Sequence, residues 1–220
     1  MRRLAAVVLS CAMVVVGVVV APAAAQAASC AHQIVVAVGG NGDPGAHAMS
    51  PALDRYRAGG ADVRVVPYPA SVWPLGPVSY DQSRAEGVPA AVHAIERARL
   101  ECPRAEIVGT GYSLGASVMG DAVQVTWVRD RFRARLYADP RQPGGVETVW
   151  PTIVPGISML GGRPPFPVPV EQDCLRGDGV CDMRRNVAGT VDSVAGYFTR
   201  HPNYGGIMAT PDGAPGVRWY

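Results

Sequence analysis

Apolar positions in this chain fall into short unbroken runs separated by longer stretches of helical spacing. In Gln33-Ile34-Val35-Val36-Ala37-Val38 everything after the first residue is apolar, which predicts a strand buried on both faces. Ala61-Asp62-Val63-Arg64-Val65-Val66 reads as a second strand, ended by Pro67 and Pro69. Ser83 to Leu100 reads as mostly helix, with Ile95 and Leu100 turned inward and Pro89 at a kink or near the start. Ile107-Val108 opens a third strand that turns directly into a helix running to about Val128. Phe132 to Tyr137 alternates like a strand, and Asn186 to Thr199 reads as the last helix. Pro151 to Pro169 is a connection dense in proline, glycine and large apolar residues. Strands that alternate with helices predict an α/β fold with a parallel sheet covered on both faces.

The first residues follow a different pattern. Arg2 and Arg3 precede an apolar run from Leu4 to Val20, and an alanine-rich stretch follows to Ala28. This is the form of a signal peptide over residues 1–27, with cleavage after Ala27, and it leaves a single domain over 28–220. The apolar run also nears bilayer-spanning length, so a retained anchor is the alternative. The expected location is therefore secreted or at the cell envelope.

Charge alters the picture less than the formal net of +2 implies. Every basic side chain is arginine, and without Arg2 and Arg3 the arginines equal the acids in number. That argues against a nucleic-acid partner. Arg129, Arg131, Arg133 and Arg135 read as a solvated helix end and the outer face of a strand rather than as a phosphate site. With Cys11 in the leader, Cys30, Cys102, Cys174 and Cys181 remain, an even number that suits two bridges in an exported chain. Three pairings are open. The economical one joins Cys174 to Cys181 in a small ring and Cys30 to Cys102 across a long loop. The cysteines lack the paired close spacing of a zinc site, so no metal is expected.

Candidate chemistry centres on Gly111-Tyr112-Ser113-Leu114-Gly115, a Gly-x-Ser-x-Gly pattern between a strand and a helix. A serine at such a turn projects its hydroxyl above the sheet edge, and the N–H groups opening the helix face the same point. In hydrolases with this turn, an oxyanion is held by the N–H after the serine and one from an early strand-to-helix loop. Here these are the Leu114 and Asn41 backbones. The early loop also contains Gly40-x-Gly42-x-x-Gly45, which mimics a dinucleotide fingerprint. Pro44 removes a phosphate-facing N–H, however, and the second strand ends without an acid for a ribose. A nucleophilic serine needs a base and an orienting acid, in the order Ser, acid, His for this fold. His201 is the only histidine after Ser113, whereas His32, His47 and His93 read as surface or packing residues. Asp139, Asp173, Asp178, Asp182 and Asp192 compete as the acid. Asp178 lies inside the candidate Cys174–Cys181 ring, a rigid mount, and Asp139 directly follows a strand. Asp173 and Asp182 read as solvated.

These blocks resemble the cutinase family of serine esterases. The likeness is carried by Cys102-Pro103 before a strand, Gly111-Tyr112-Ser113-x-Gly115-Ala116, the Cys174 to Cys181 stretch around Gly177-Asp178, and His201 with Tyr204. Tyr68-Pro69-Ala70-Ser71-x-Trp73-Pro74 and the run from Asp139 to Gly145 look more like the related PE-PPE-type hydrolase domain. The resemblance implies an α/β-hydrolase three-layer sandwich around a central parallel sheet, with no true lid and no cofactor. It implies hydrolysis of carboxylic esters through an acyl-enzyme, with Ser113 as nucleophile, Asp178 as acid, His201 as base, and Asn41 and Leu114 at the oxyanion. Leucine stands at 114 where the family usually has glutamine, and Gly39-Gly40-Asn41 replaces its usual Arg-Gly-Ser/Thr. The expected partners are ester or lipid-like small-molecule or polymer substrates, with transient contact to a lipid or envelope surface, and the expected state is a monomer. An apolar rim of Ile153, Val154, Ile157, Met159, Leu160 and Phe166 is the candidate contact for acyl chains, against a plain packed connection. Two other classes fit the same residues: an envelope acyltransferase, and a catalytically silent envelope-binding protein.

Overall fold

A computed structural model describes residues 30–220, so the leader expected over residues 1–27 lies outside the described residues. Six strands form one parallel sheet: β1 (Gln33–Val38), β2 (Asp62–Val65), β3 (Glu106–Tyr112), β4 (Phe132–Tyr137), β5 (Val170–Cys174) and β6 (Gly216–Trp219). Their spatial order is β2-β1-β3-β4-β5-β6, and every neighbouring pair is parallel. Helices α1 (Ser50–Ala58), α2 (Tyr80–Glu101), α3 (Leu114–Val125), α4 (Val146–Val149), α5 (Val187–Thr199) and α6 (Gly205–Met208) connect them. Alternate residues of β1 feed two cores. Ile34, Val36 and Val38 pack with α2 and α3, while Val35 and Ala37 pack with α1 and α6. This is the three-layer α/β-hydrolase sandwich. It places β3 in the interior of the sheet, with its C-terminal end at the rim where parallel sheets bind ligands.

The helix α2 begins at Tyr80, earlier than its spacing predicts, because Ser79 caps it by accepting from the Gln82 N–H at 3.1 Å. Pro89 lies within it, on the exposed side of the helix together with Ala85, whose carbonyl it leaves without its helical partner. Ile95 is buried but Leu100 is 71% exposed, contrary to expectation. The buried stripe runs Arg84, Gly87, Ala91, Ile95, Ala98, and position 100 lies off that face.

Five of these elements are absent from the sequence reading: α1, β5 and β6, and the four-residue helices α4 and α6. The strand β5 is Val-Glu-Gln-Asp-Cys, and all five residues are buried. Its polarity is matched by arginine. Arg135, expected on an outer face, is fully buried, with Nε donating to Asp173 Oδ2 at 2.7 Å and Nη1 to the Thr210 carbonyl at 2.7 Å. Asp173, expected to be solvated, is thus its buried partner. Two disulfides join Cys30 to Cys102, just before β3, and Cys174 to Cys181, just after β5.

Candidate active site

The turn from Gly111 to Gly115 is dictated by close backbone approach. A Cβ on Gly111 would overlap the Gly115 carbonyl, and one on Gly115 would overlap the carbonyls of Val38 and Gly39. Small residues are therefore required for α3 to lie directly over the ends of β1 and β3. Between them Ser113 adopts φ 58 and ψ −122, a strained conformation for a side-chain-bearing residue that costs about 1–3 kcal/mol. The surroundings hold it there. Its N–H donates to the Tyr137 carbonyl of β4 at 2.9 Å, and its own carbonyl accepts from Ala116 at 2.9 Å and Ser117 at 3.1 Å.

His201 opens a short 3-10 turn, His201–Asn203, just beyond α5. Its Nε2 lies 2.9 Å from Ser113 Oγ, and its Nδ1 lies 2.9 Å from Asp178 Oδ2. A carboxylate only accepts, so the network assigns the imidazole proton to Nδ1 and leaves Nε2 to accept from the serine. Asp178 is fully buried inside the Cys174–Cys181 ring. The Val180 N–H donates to its Oδ1 at 2.9 Å and the Tyr204 hydroxyl to its Oδ2 at 2.7 Å. Burial first, and then the Asp178 charge, push the Tyr204 phenol far above its ordinary range, which keeps it a donor.

The competing acids are engaged elsewhere. Asp139 is buried but holds Arg163 at 2.6 Å, Gln172 at 2.8 Å and the Arg141 N–H at 3.1 Å. Asp182 accepts from the Gly177 N–H at 2.6 Å, and Asp192 pairs with Arg200 at 3.0 Å. His32, His47 and His93 are exposed.

Asn41 and Leu114, the two residues expected at an oxyanion, line the same cavity as Ser113. Neither backbone N–H donates to a protein atom among the described residues. The Asn41 loop is fixed by the Gly42 N–H on the Ala70 carbonyl at 2.6 Å and the Asp43 N–H on the Gly40 carbonyl at 3.1 Å. Two of the amides that a dinucleotide phosphate would seek in this glycine-rich loop are thereby used. Among the described residues no three His, Cys, Asp or Glu side chains are grouped to hold a metal ion.

Two cavities meet at the serine. The larger, about 360 Å³, has largely apolar walls that include Val72, Val146, Ile157, Met159 and Val194. Buried Tyr80 and Glu147 also face it, and the Tyr80 hydroxyl donates to Glu147 Oε1. The smaller, about 250 Å³, adjoins His201, Pro202 and Gly205. Of the expected rim, Ile157 and Met159 reach the larger cavity, Phe166 packs on the core instead, and Ile153 and Leu160 are exposed. This segment is pinned: Asp81 accepts from the Ser158 N–H at 2.8 Å, and Glu147 Oε2 accepts from the Leu160 N–H at 3.1 Å.

Sequence reasoning missed the rings around His201. Tyr112 stacks on the imidazole with centroids 4.9 Å apart and planes at 21°, and Tyr197 stacks at 5.4 Å and 17°. The Tyr112 hydroxyl also donates to the His201 carbonyl. The available signal was spacing, since Tyr197 lies four residues before His201 at the end of a helix and so on the same face.

Comparison with known proteins bears on the family and the fold. The cutinase family model matches residues 29–203. The carboxylesterase Culp6 homolog of Corynebacterium glutamicum is 29% identical over 201 residues, covering 76% of this chain and 65% of that protein. The chain therefore spans just under two thirds of that relative's length. In fold it is similar to the catalytic core domain of acetyl xylan esterase from Trichoderma reesei, with TM-score 0.60 and 19% identity over 81% of this chain and 93% of that one. It is also similar to a cutinase-like protein from Cryptococcus sp., with TM-score 0.52 and 18% identity over 84% of this chain and 98% of that one.

Proposed function

The chain belongs to the cutinase family, and from that premise we propose that it is a carboxylic ester hydrolase working through Ser113, His201, Asp178 and a covalent acyl-enzyme. The observation that carries the reading is the unbroken hydrogen-bonded line from Ser113 Oγ through the imidazole to Asp178. His201 Nε2 accepts the serine proton as Oγ bonds to the ester carbonyl carbon. The carbonyl oxygen takes up negative charge and is held by the N–H groups of Asn41 and Leu114. As the tetrahedral centre collapses, the bond to the alcohol oxygen breaks and His201 returns its proton to that oxygen. Water, deprotonated by His201, then attacks the acyl-serine carbonyl carbon; the bond to Ser113 Oγ breaks, His201 returns the proton to Oγ, and the acid is released.

The same step orients the substrate. The leaving oxygen must lie beside the imidazole that protonates it. His201 borders the smaller cavity and not the larger, whereas Leu114 borders the larger. The alcohol portion therefore belongs in the smaller cavity and an apolar acyl chain in the larger.

The test is nitrophenyl-ester hydrolysis by wild type and Ser113→Ala, with a fluorophosphonate probe to tag the nucleophile. The alanine variant should lose roughly a millionfold in turnover and all labelling. Equal rates would end the reading.

Export over residues 1–27 belongs to the same proposal, supported by the charged, apolar and small-residue order of the leader and by two disulfides, which persist in oxidising compartments. Protein recovered from the medium should begin at Ala28. A chain that keeps Met1 and stays with the membrane would contradict cleavage.

A further inference from the structure

Two phenol rings stack near-parallel to the imidazole of His201. Tyr112 approaches from β3, immediately before the nucleophile, and Tyr197 from the last turn of α5. Both planes are within 21° of the imidazole plane, and the two phenols make no ring contact with each other. Two near-parallel phenols that do not touch each other fit one on each face of the imidazole. Tyr204 meets the same ring edge-on, with centroids 6.1 Å apart and planes at 73°. Tyr112 and Tyr204 are each fixed by hydroxyl bonds, to the His201 carbonyl and to Asp178. The Tyr197 hydroxyl has no partner among the described residues, so what Tyr197 brings to the site is its ring. That ring borders both cavities.

We propose that Tyr197 is a positioning residue that, with Tyr112, clamps the His201 ring and stabilises the imidazolium formed when the serine proton is taken up. The proposal rests on the reading of His201 as the base. The physical argument is that the face of an aromatic ring carries negative potential and attracts a cation most strongly where water is excluded. The charge on His201 appears only as the reaction proceeds, so stabilising it lowers the barrier without tightening ground-state binding. The remaining groups facing the ring are the Asp178 carboxylate, the Ser113 hydroxyl and the Tyr112 and Tyr204 phenols. The neighbouring Arg200 guanidinium is turned away, onto Asp192 and the Gly177 carbonyl.

The experiment compares the full chain with Tyr197→Leu, Tyr197→Phe and Tyr197→Trp on a nitrophenyl ester, recording kcat, KM and the pH dependence of kcat/KM. The leucine variant should lose about tenfold in kcat with little change in KM. The acid limb of its profile should move to lower pH, because the imidazolium has lost one stabilising face. Phenylalanine and tryptophan should restore both quantities. Phenylalanine as impaired as leucine, a leucine variant equal to wild type, or a loss without movement of the limb would each overturn the proposal. Should the leucine variant not fold, the wild type decides by NMR. The carbon-bound ring protons of His201 should be shifted upfield by two stacked faces, and unshifted resonances would overturn the clamp. A wild type that no fluorophosphonate labels at Ser113 would instead defeat the underlying reading.

Discussion

Tyr204 donates its hydroxyl to the same Asp178 oxygen that holds the imidazole of His201, at 2.7 Å and 2.9 Å respectively. The hydroxyl also accepts from the Leu175 N–H at 3.0 Å, so one phenol links the acid to the start of the loop that carries it. Tyr204→Phe removes a buried donor from a carboxylate and leaves an N–H unpaired. It should destabilise the fold by about 2–4 kcal/mol and lower kcat about tenfold. The acid limb of kcat/KM should move to higher pH, opposite to Tyr197→Leu, because the less neutralised carboxylate favours the imidazolium. Thermal melts and pH–rate profiles of the two variants check the opposition directly. Shifts in the same direction would show that Tyr204 acts through packing alone.

The acid is also mounted covalently. Asp178 lies in the eight-residue ring closed by Cys174 and Cys181, and the ring carbonyl of Leu175 accepts its N–H at 3.0 Å. Replacing both cysteines by serine frees a short loop, which should cost about 2–3 kcal/mol of stability. Turnover should suffer more than binding, because a carboxylate that wanders no longer orients the imidazole. Denaturant melts together with kcat and KM test this. Unchanged kcat in a destabilised variant would mean that Tyr204 and Val180 hold Asp178 without the ring.

A second charged cluster supports the cavity wall and carries a pH signature. Asp121, on α3 beyond Ser113, contacts Arg84, Arg141 and Arg163. Arg163 extends to Asp139 and to the Ser117 carbonyl, which ties down the segment beyond Met159. Burial works against ionising Asp121, yet Arg163, Arg84 and Arg141 outweigh it and hold the carboxyl below its usual range. A depressed folded-state value stabilises the fold above the unfolded value, near 3.9, and that stability is lost as pH falls through the folded value. Asp121→Asn strands buried arginines and should cost about 3–5 kcal/mol at neutral pH. Its deficit relative to wild type should begin to shrink below about pH 4 and go on shrinking as pH falls through the lower folded-state value, where wild type loses the same charge. Melting both proteins from pH 7 to strongly acidic conditions checks this, and a constant gap would contradict it.

Periodicity revealed what is locally written and hid what depends on partners. The strands β1, β3 and β4 and the helix α5 are legible because their apolar runs are nearly unbroken or helically spaced. The strand β5 is not, since Glu171, Gln172 and Asp173 look solvated until Arg135 and Arg218 are brought to them from other strands. The short edge strand β6 and the helix α1 carry too few apolar residues to announce themselves. At the candidate site, the three side chains that the structure brings into one hydrogen-bonded line were readable from motif and order. Ser113 stands in its glycine frame, His201 is the only histidine after it, and Asp178 lies inside a cysteine pair. The supporting rings of Tyr112 and Tyr197 were not readable, because an aromatic residue in sequence does not disclose which ring it will cover.

The apolar cavity makes the last prediction, which concerns acyl length. An acetyl group would leave most of about 360 Å³ unfilled, whereas a longer chain would bury apolar surface against Val72, Val146 and Met159, worth about 0.8 kcal/mol per methylene. Wild type should therefore prefer octanoyl over acetyl esters in kcat/KM. Val146→Phe narrows the cavity, and it should lower the octanoyl-to-acetyl ratio at least tenfold, roughly the worth of two methylenes. Ala48→Phe, on the smaller cavity, should leave that ratio intact and instead penalise esters of bulky alcohols. A series of nitrophenyl esters of rising acyl length, run beside octanoyl esters of small and large alcohols, separates the two effects. If the alanine replacement changes acyl preference and the valine replacement does not, the acyl and alcohol sides are reversed, and with them the position of the leaving oxygen relative to His201.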